Sequence, residues 1–144
     1  MKKILIPTDF SKNAEHALKV AAQIAKKNDG EIILLHMLEL PNQGSDAMVS
    51  GKSIPEIMFF KNAAINKLED LMDADYLKDI PVSEIIQFEM AFDGILNISK
   101  KNNVDLIVMG SHGARGFKEM LIGSKAEKVV RNSETPGLII KEEN

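Results

Sequence analysis

The residues best suited to chemistry lie in the last third of this 144-residue chain. Val104 to Met109 is an apolar run that leads directly into Gly110, Gly113 and Gly116. After six further residues Gly123-Ser124 opens a helical pattern carrying Ala126, Val129 and Val130. A strand, a glycine-rich loop and a helix N-terminus form an arrangement suited to phosphate. Glycine lets the backbone approach an anion closely, and the first N–H groups of a helix have no partner within it. Ser124 can offer a hydroxyl and a backbone N–H to the same anion, or serve only as the helix cap. Gly110 and Gly113 can likewise mark a tight strand-to-loop turn. Arg115 and Lys118 stand inside the loop, where they can neutralise a polyphosphate or lie in solvent.

The pattern is G-x2-G-x9-G-S over Gly110, Gly113, Gly123 and Ser124. It is neither a Walker A loop nor a dinucleotide fingerprint, which need G-x-x-x-x-G-K-[ST] or G-x-G-x-x-G. His112, inside the loop, suits backbone contact with phosphate better than acid–base work. His36 lies in an apolar run and reads as a satisfied core histidine, and His16 as a solvated helix residue. The three histidines lack zinc-ligand spacing. No nucleophile–base pair stands out, so no catalytic residue and no metal ligand is assigned.

The elements that must position this loop follow from periodicity. Lys3 to Pro7 is a first strand. Ser11 is the expected N-cap of a helix with Ala14, Ala17, Leu18, Ala21, Ile24 and Ala25 at helical spacing, ended by Asn28-Asp29-Gly30. Its alanines imply close packing against a sheet. Ile32 to Met37 is a second strand, apolar enough to be covered on both faces. Leu38 to Gly51 is a long polar loop. Ser53-Ile54-Pro55-Glu56 fits a capping box before a helix ending near Met72. Val82 to Met90 alternates and suits a sheet edge. Asp93 is the expected cap of a short helix. Val104 to Met109 is the fourth strand, Gly123 to about Asn132 the last helix, and Leu138 to Ile140 the fifth strand. Strands alternating with helices imply parallel pairing with right-handed crossovers.

Lys3-Ile4-Leu5-Ile6-Pro7-Thr8-Asp9-Phe10-Ser11, Leu34-Leu35-His36-Met37, and Val108-Met109-Gly110-Ser111-His112-Gly113 with Gly123-Ser124 together resemble the universal stress protein family, in its subgroup with an ATP-binding motif. The likeness covers nearly the whole chain and is least diagnostic from about Leu38 to Glu84. It implies one α/β domain over 1–144: an open, parallel, five-stranded Rossmann-like sheet of order 3-2-1-4-5, akin to the adenine nucleotide alpha hydrolases, with helices on both faces. A ligand then belongs at the switch point between strands one and four.

The resemblance also implies a binding set. Pro7, Thr8 and Asp9 line one wall, with Asp9 near the ribose or adenine edge, or else only capping the helix start. The Met37 backbone reads adenine, or Met37 is plain core. Met109, Gly110, His112, Gly113, Gly123, Ser124, Lys125 and Ala126 hold the phosphates. Lys125 stands where the family commonly has a small apolar residue. Ala126 replaces a frequent hydroxyl, which leaves that contact to the backbone. The ligand implied is ATP, with any Mg2+ arriving on its phosphates. The expected role is a stress-response regulator acting as a homodimer through the last strand, Leu138 to Lys141. The alternatives are a slow ATP hydrolase and a ligand-free structural dimer with a partner-binding role. Adenylating relatives of the fold carry SGGxDS or HxGH, where this chain has Pro7-Thr8-Asp9-Phe10-Ser11.

Composition sets further bounds. One domain is expected at this length. A net charge of -3 gives no electrostatic case for nucleic acid or an anionic membrane. The absence of cysteine excludes disulfides and thiol chemistry. The chain opens directly into a strand, and no apolar run approaches ~18 residues. A cytoplasmic protein is therefore expected.

Overall fold

The computed structural model describes residues 2–38, 54–88, 91–111 and 124–141. The elements run β1 (Lys3–Pro7), α1 (Lys12–Asn28), β2 (Glu31–Met37), α2 (Ile54–Met72), a 3-10 turn (Asp75–Leu77), β3 (Val82–Gln87), α3 (Ala91–Lys101), β4 (Leu106–Gly110), α4 (Ser124–Asn132) and β5 (Gly137–Ile140). The strands form one parallel sheet of order β3-β2-β1-β4-β5.

Side-chain alternation explains the layers. Ile4 and Ile6 of β1, Ile32 and Leu34 of β2, and Leu106 and Val108 of β4 pack on one face with α1 and α2. Leu5, Ile33, Leu35, Ile107 and Met109 pack on the other with α3 and α4. A strand buried on both faces must be apolar at successive positions, as Ile32 to Leu35 of β2 are. Ala17, Ala21, Ala22 and Ala25 let α1 lie close to the sheet, while Leu18 and Leu68 fill the remaining space. Burying each of those leucines stabilises the fold by about 1.5–3 kcal/mol.

The caps of α1 are as expected. Ser11 accepts the Ala14 N–H at 3.2 Å, and the helix ends on Asp29 in the left-handed region. Lys26 and Lys27 sit in its last turn, where the helix dipole favours cations.

Four expectations need correction. β4 begins at Leu106 rather than Val104 and includes Gly110. Helix α3 begins at Ala91, so Asp93 lies inside its first turn and is not its cap. His16 is half-buried rather than solvated. Val130 is 50% exposed, because α4 overhangs β5, the last strand, and nothing beyond that edge covers it among the described residues. The Leu38–Gly51 loop lies outside the described residues except for Leu38, which is buried and extends the β2–β3 ladder through its N–H to the Gln87 carbonyl. Ser53 of the capping box, and Glu89 and Met90, also lie outside. No helix among the described residues is long and apolar enough to cross a membrane.

Candidate functional site

The crevice at the switch point follows from one residue, Pro7. Thr8 N–H bonds to the Leu35 carbonyl at 2.8 Å, so the even residues of β1 face β2 and the odd ones face β4. The β1–β4 ladder pairs Ile4 with Leu106 and Leu5 with Ile107, and there it stops. The next rung needs an N–H from Pro7, which has none. Both flanking strands run past this point: β2 continues beyond the Pro7–Leu35 pair to Met37, and β4 continues to Gly110.

Strand parity then fixes what faces the gap. Leu38 N–H bonds to Gln87, so Met37 presents its own N–H and C=O on the β1 side. Ser111 N–H bonds to Ile140 of β5, so Gly110 presents its main-chain groups on the β1 side too. Two sets of peptide groups therefore face each other above the end of β1. The start of α4 belongs to the same edge, since α4 is the crossover that leaves β4 and returns to β5. Its first N–H groups carry partial positive charge.

The loop after β1 is held by its own side chains. Thr8 is buried, its Oγ1 accepts the Phe10 N–H at 3.1 Å, and its carbonyl accepts from His36 Nδ1 at 2.9 Å. A carbonyl only accepts, so Nδ1 of His36 carries the proton. Asp9 is exposed and its Oδ1 accepts the Ser11 N–H at 2.9 Å. It thus does cap the approach to α1, one of the two roles open to it. Phe10 adopts a φ of 65°, a left-handed conformation uncommon for a bulky residue. Its ring stands 4.6 Å from that of His36, and Lys67 Nζ lies 5.4 Å from its centroid on α2.

The structure thus brings Pro7, Thr8, Asp9, Met37, Met109, Gly110 and the start of α4 to one edge of the sheet. Met109 itself is buried core and points away from the gap by parity. Lys125 is exposed in the first turn of α4. Ala126 is buried among Ile107, Met109 and Val129, so its side chain is a core contact and a phosphate ligand there is backbone only. His112, Gly113, Gly123, Arg115 and Lys118 lie outside the described residues, as does the side chain of Ser124.

Gly110 has a reason to be glycine beyond access to a ligand. Its φ is not positive, so no turn demands it. A Cβ there would stand 2.6 Å from Oδ1 and 2.7 Å from Cγ of Asn13. Asn13 went unmarked in the sequence, and Phe10 and Ser111 stood in the family motifs without a role of their own, although Asn13 sits one helical turn before Ala17 on the packed stripe of α1, a place where a polar residue is itself a signal. No group of three or more His, Cys, Asp or Glu that could hold a metal occurs among the described residues.

Comparison with known proteins gives a consistent family. The model of the universal stress protein family matches residues 1–141. Universal stress protein MJ0577 of Methanocaldococcus jannaschii is 35% identical, with 99% of this chain and 96% of the relative aligned. The solved structure of MJ0577 superposes with a TM-score of 0.81 at 34% identity, covering 99% of this chain and 97% of that one. Universal stress protein YxiE of Bacillus subtilis is 30% identical over 96% of this chain and 98% of its own. A universal stress protein of Archaeoglobus fulgidus solved in complex with dAMP shares the fold at 20% identity, with a TM-score of 0.68 over 98% of each chain.

Proposed function

The chain belongs to the universal stress protein family, and from that premise we propose that it is an adenine-nucleotide-binding regulator that takes ATP at the switch point and works as a cytoplasmic homodimer in the stress response. The observation that carries the reading is the early end of β1. Pro7 terminates the ladder, and the main-chain groups of Met37 and Gly110 are left facing one gap. A purine edge presents alternating donors and acceptors that suit an N–H and C=O pair such as that of Met37. A polyphosphate suits glycine amides and a helix N-terminus. A gap of this kind fits a nucleotide with adenine toward β2 and phosphates toward α4. Mg2+, where it takes part, belongs to the phosphates. The dAMP held by the Archaeoglobus fulgidus protein is the same class of ligand.

The dimer reading rests on β5. Among the described residues it pairs with β4 alone, and parity turns the main-chain groups of Gly137 and Ile139 away from that partner. Leu138 is 37% exposed on the same strand. An apolar edge with outward donors and acceptors suits pairing with a second copy across a two-fold axis.

Titration calorimetry of the full chain with Mg-ATP, inorganic triphosphate and GTP tests the nucleotide reading, with sedimentation of the same samples testing the dimer. The expected result is saturable binding of one ATP per chain, weaker binding of GTP and triphosphate, and a sedimenting dimer. Absence of saturable ATP binding overturns the nucleotide reading, and a monomer at micromolar concentration overturns the dimer.

A further inference from the structure

Asn13 is 5% exposed in the first turn of α1. A buried amide must find partners, since leaving one of its groups unsatisfied costs about 1–3 kcal/mol. Its Nδ2 donates to the Ile140 carbonyl at 3.2 Å. The same carbonyl accepts the Ser111 N–H at 2.9 Å. Its Oδ1 and Cγ lie where a side chain on Gly110 would otherwise stand. One side chain from α1 therefore touches the last residue of β4 and the last residue of β5 at once. Ser111, the first residue after β4, is buried as well.

We propose that Asn13 is a positioning residue for the phosphate end of the nucleotide site, setting the direction in which the chain leaves β4 and tying that exit to β5. This rests on the nucleotide reading above. The Gly110 peptide has no side chain to fix it and no β1 rung beside it. What limits its rotation on the α1 face is the Asn13 amide lying against it. On the β5 side the limit is the Ser111 bond to a carbonyl that Asn13 also holds. An anion at that peptide meets donors already aimed, and less ordering is lost on binding. The link to Ile140 joins the end of β4 and the end of the outer strand through one amide.

The test uses the full chain with Asn13→Ala, Asn13→Asp and, as a control, Leu77→Ala, which opens the core near the amino end of β3. Two quantities are read: Mg-ATP affinity by calorimetry, and hydrogen exchange of the Ser111 amide. Asn13→Ala is expected to weaken ATP on the order of tenfold, one hydrogen bond's worth, and to speed Ser111 exchange on a similar scale. Asn13→Asp keeps the shape but turns an acceptor toward the Ile140 carbonyl, and is expected to lose at least as much. Leu77→Ala loses stability yet keeps wild-type affinity. ATP affinity in Asn13→Ala equal to wild type overturns the proposal, as does Ser111 exchange no faster than in Leu77→Ala. Should the wild type itself bind no ATP, the nucleotide reading falls. Faster Ser111 exchange in Asn13→Ala alone then still sustains the hold of Asn13 on the β4 exit, and unchanged exchange overturns that too.

Discussion

At the amino edge of the sheet the chain turns on Asp29, Asp79 and Asn103, with φ of 54°, 67° and 52°; at the carboxyl edge it turns on Phe10, with φ of 65°. Aspartate and asparagine are the non-glycine residues that visit this region most readily, and an aromatic is not. The amino edge turns on residues its geometry favours. Asp29 ends α1, and Asp105 gathers the N–H groups of Lys2 and Lys3 on one carboxylate oxygen at 3.0 and 2.9 Å. The carboxyl edge holds a conformation that costs on the order of 1–3 kcal/mol, kept in place by Thr8, His36 and Lys67. It also leaves peptide groups beyond the last rung. The two ends of the sheet thus turn on different residue types, and the switch point at which open α/β sheets bind ligands lies at the carboxyl end, where the proposed nucleotide site falls.

The sharpest test of this contrast is a pair of glycines. A methyl on Gly110 would stand 2.6 Å from Asn13 Oδ1, and even the Asn13 backbone carbon is at 3.2 Å. At Gly137, which opens β5, the nearest atoms to the same methyl are the Ile107 carbonyl oxygen at 3.9 Å and Val130 Cγ2 at 4.0 Å. Gly110→Ala is expected to destabilise by about 2 to 3 kcal/mol, at the upper end of overpacking costs. Gly137→Ala is expected to change stability by less than about 0.5 kcal/mol, as surface substitutions usually do. Urea denaturation measures both. Equal costs would mean that the carboxyl edge is no more tightly fitted than the amino edge.

Much of this architecture was legible in the sequence, and the reasons differ by residue. Short unbroken apolar runs at Ile32 to Leu35 and Leu106 to Met109, close to Gly30 and Gly110, read as strands covered twice, so the layers followed from them. Ser11 announced the start of α1 because its hydroxyl is a good cap acceptor. The strand order came with the family resemblance. Phe10 gave no warning, since nothing in a phenylalanine favours a left-handed backbone; the loop imposes it. Gly110 was read for its approach to phosphate. The wedge against Asn13 is a contact between distant parts of the chain that no local pattern encodes. Ala126 looked like a missing hydroxyl and is a core residue, because the side that faces the sheet is set by the docking of α4. His112, Gly113 and Gly123 lie outside the described residues, so their part in the loop rests on the sequence and the resemblance.

Phe10 itself gives a smaller effect with a distinctive order. Phe10→Ala loses the contacts with His36 and Lys67 and keeps a Cβ in the left-handed region. Phe10→Gly loses the same contacts and relieves the strain. Glycine ordinarily destabilises relative to alanine through chain entropy. Here Phe10→Gly is expected to be the more stable of the two by about 1 kcal/mol, the scale of the left-handed penalty. Thermal or urea unfolding decides the order. Alanine above glycine would show that Phe10 carries no backbone strain and that the two edges do not differ in this respect.

The smallest effect belongs to the amino edge and appears only with pH. The N–H groups of Lys3 and Lys2 hold the Asp105 carboxyl below the usual carboxylate range. An acid whose folded pKa is depressed stabilises the native state above its unfolded pKa, and that contribution fades as pH falls through the folded value. Asp105→Asn removes the titration while keeping an acceptor oxygen for one or both amides. The variant is therefore expected to be less stable than wild type at neutral pH, with the gap closing as pH drops below about 4. Because Asp105 is exposed, the gap should be modest and should shrink in salt. Denaturation midpoints for both proteins at a series of pH values measure it. A gap that stays constant down to acid pH would mean that the amino edge is joined by shape alone, without help from a charge on Asp105.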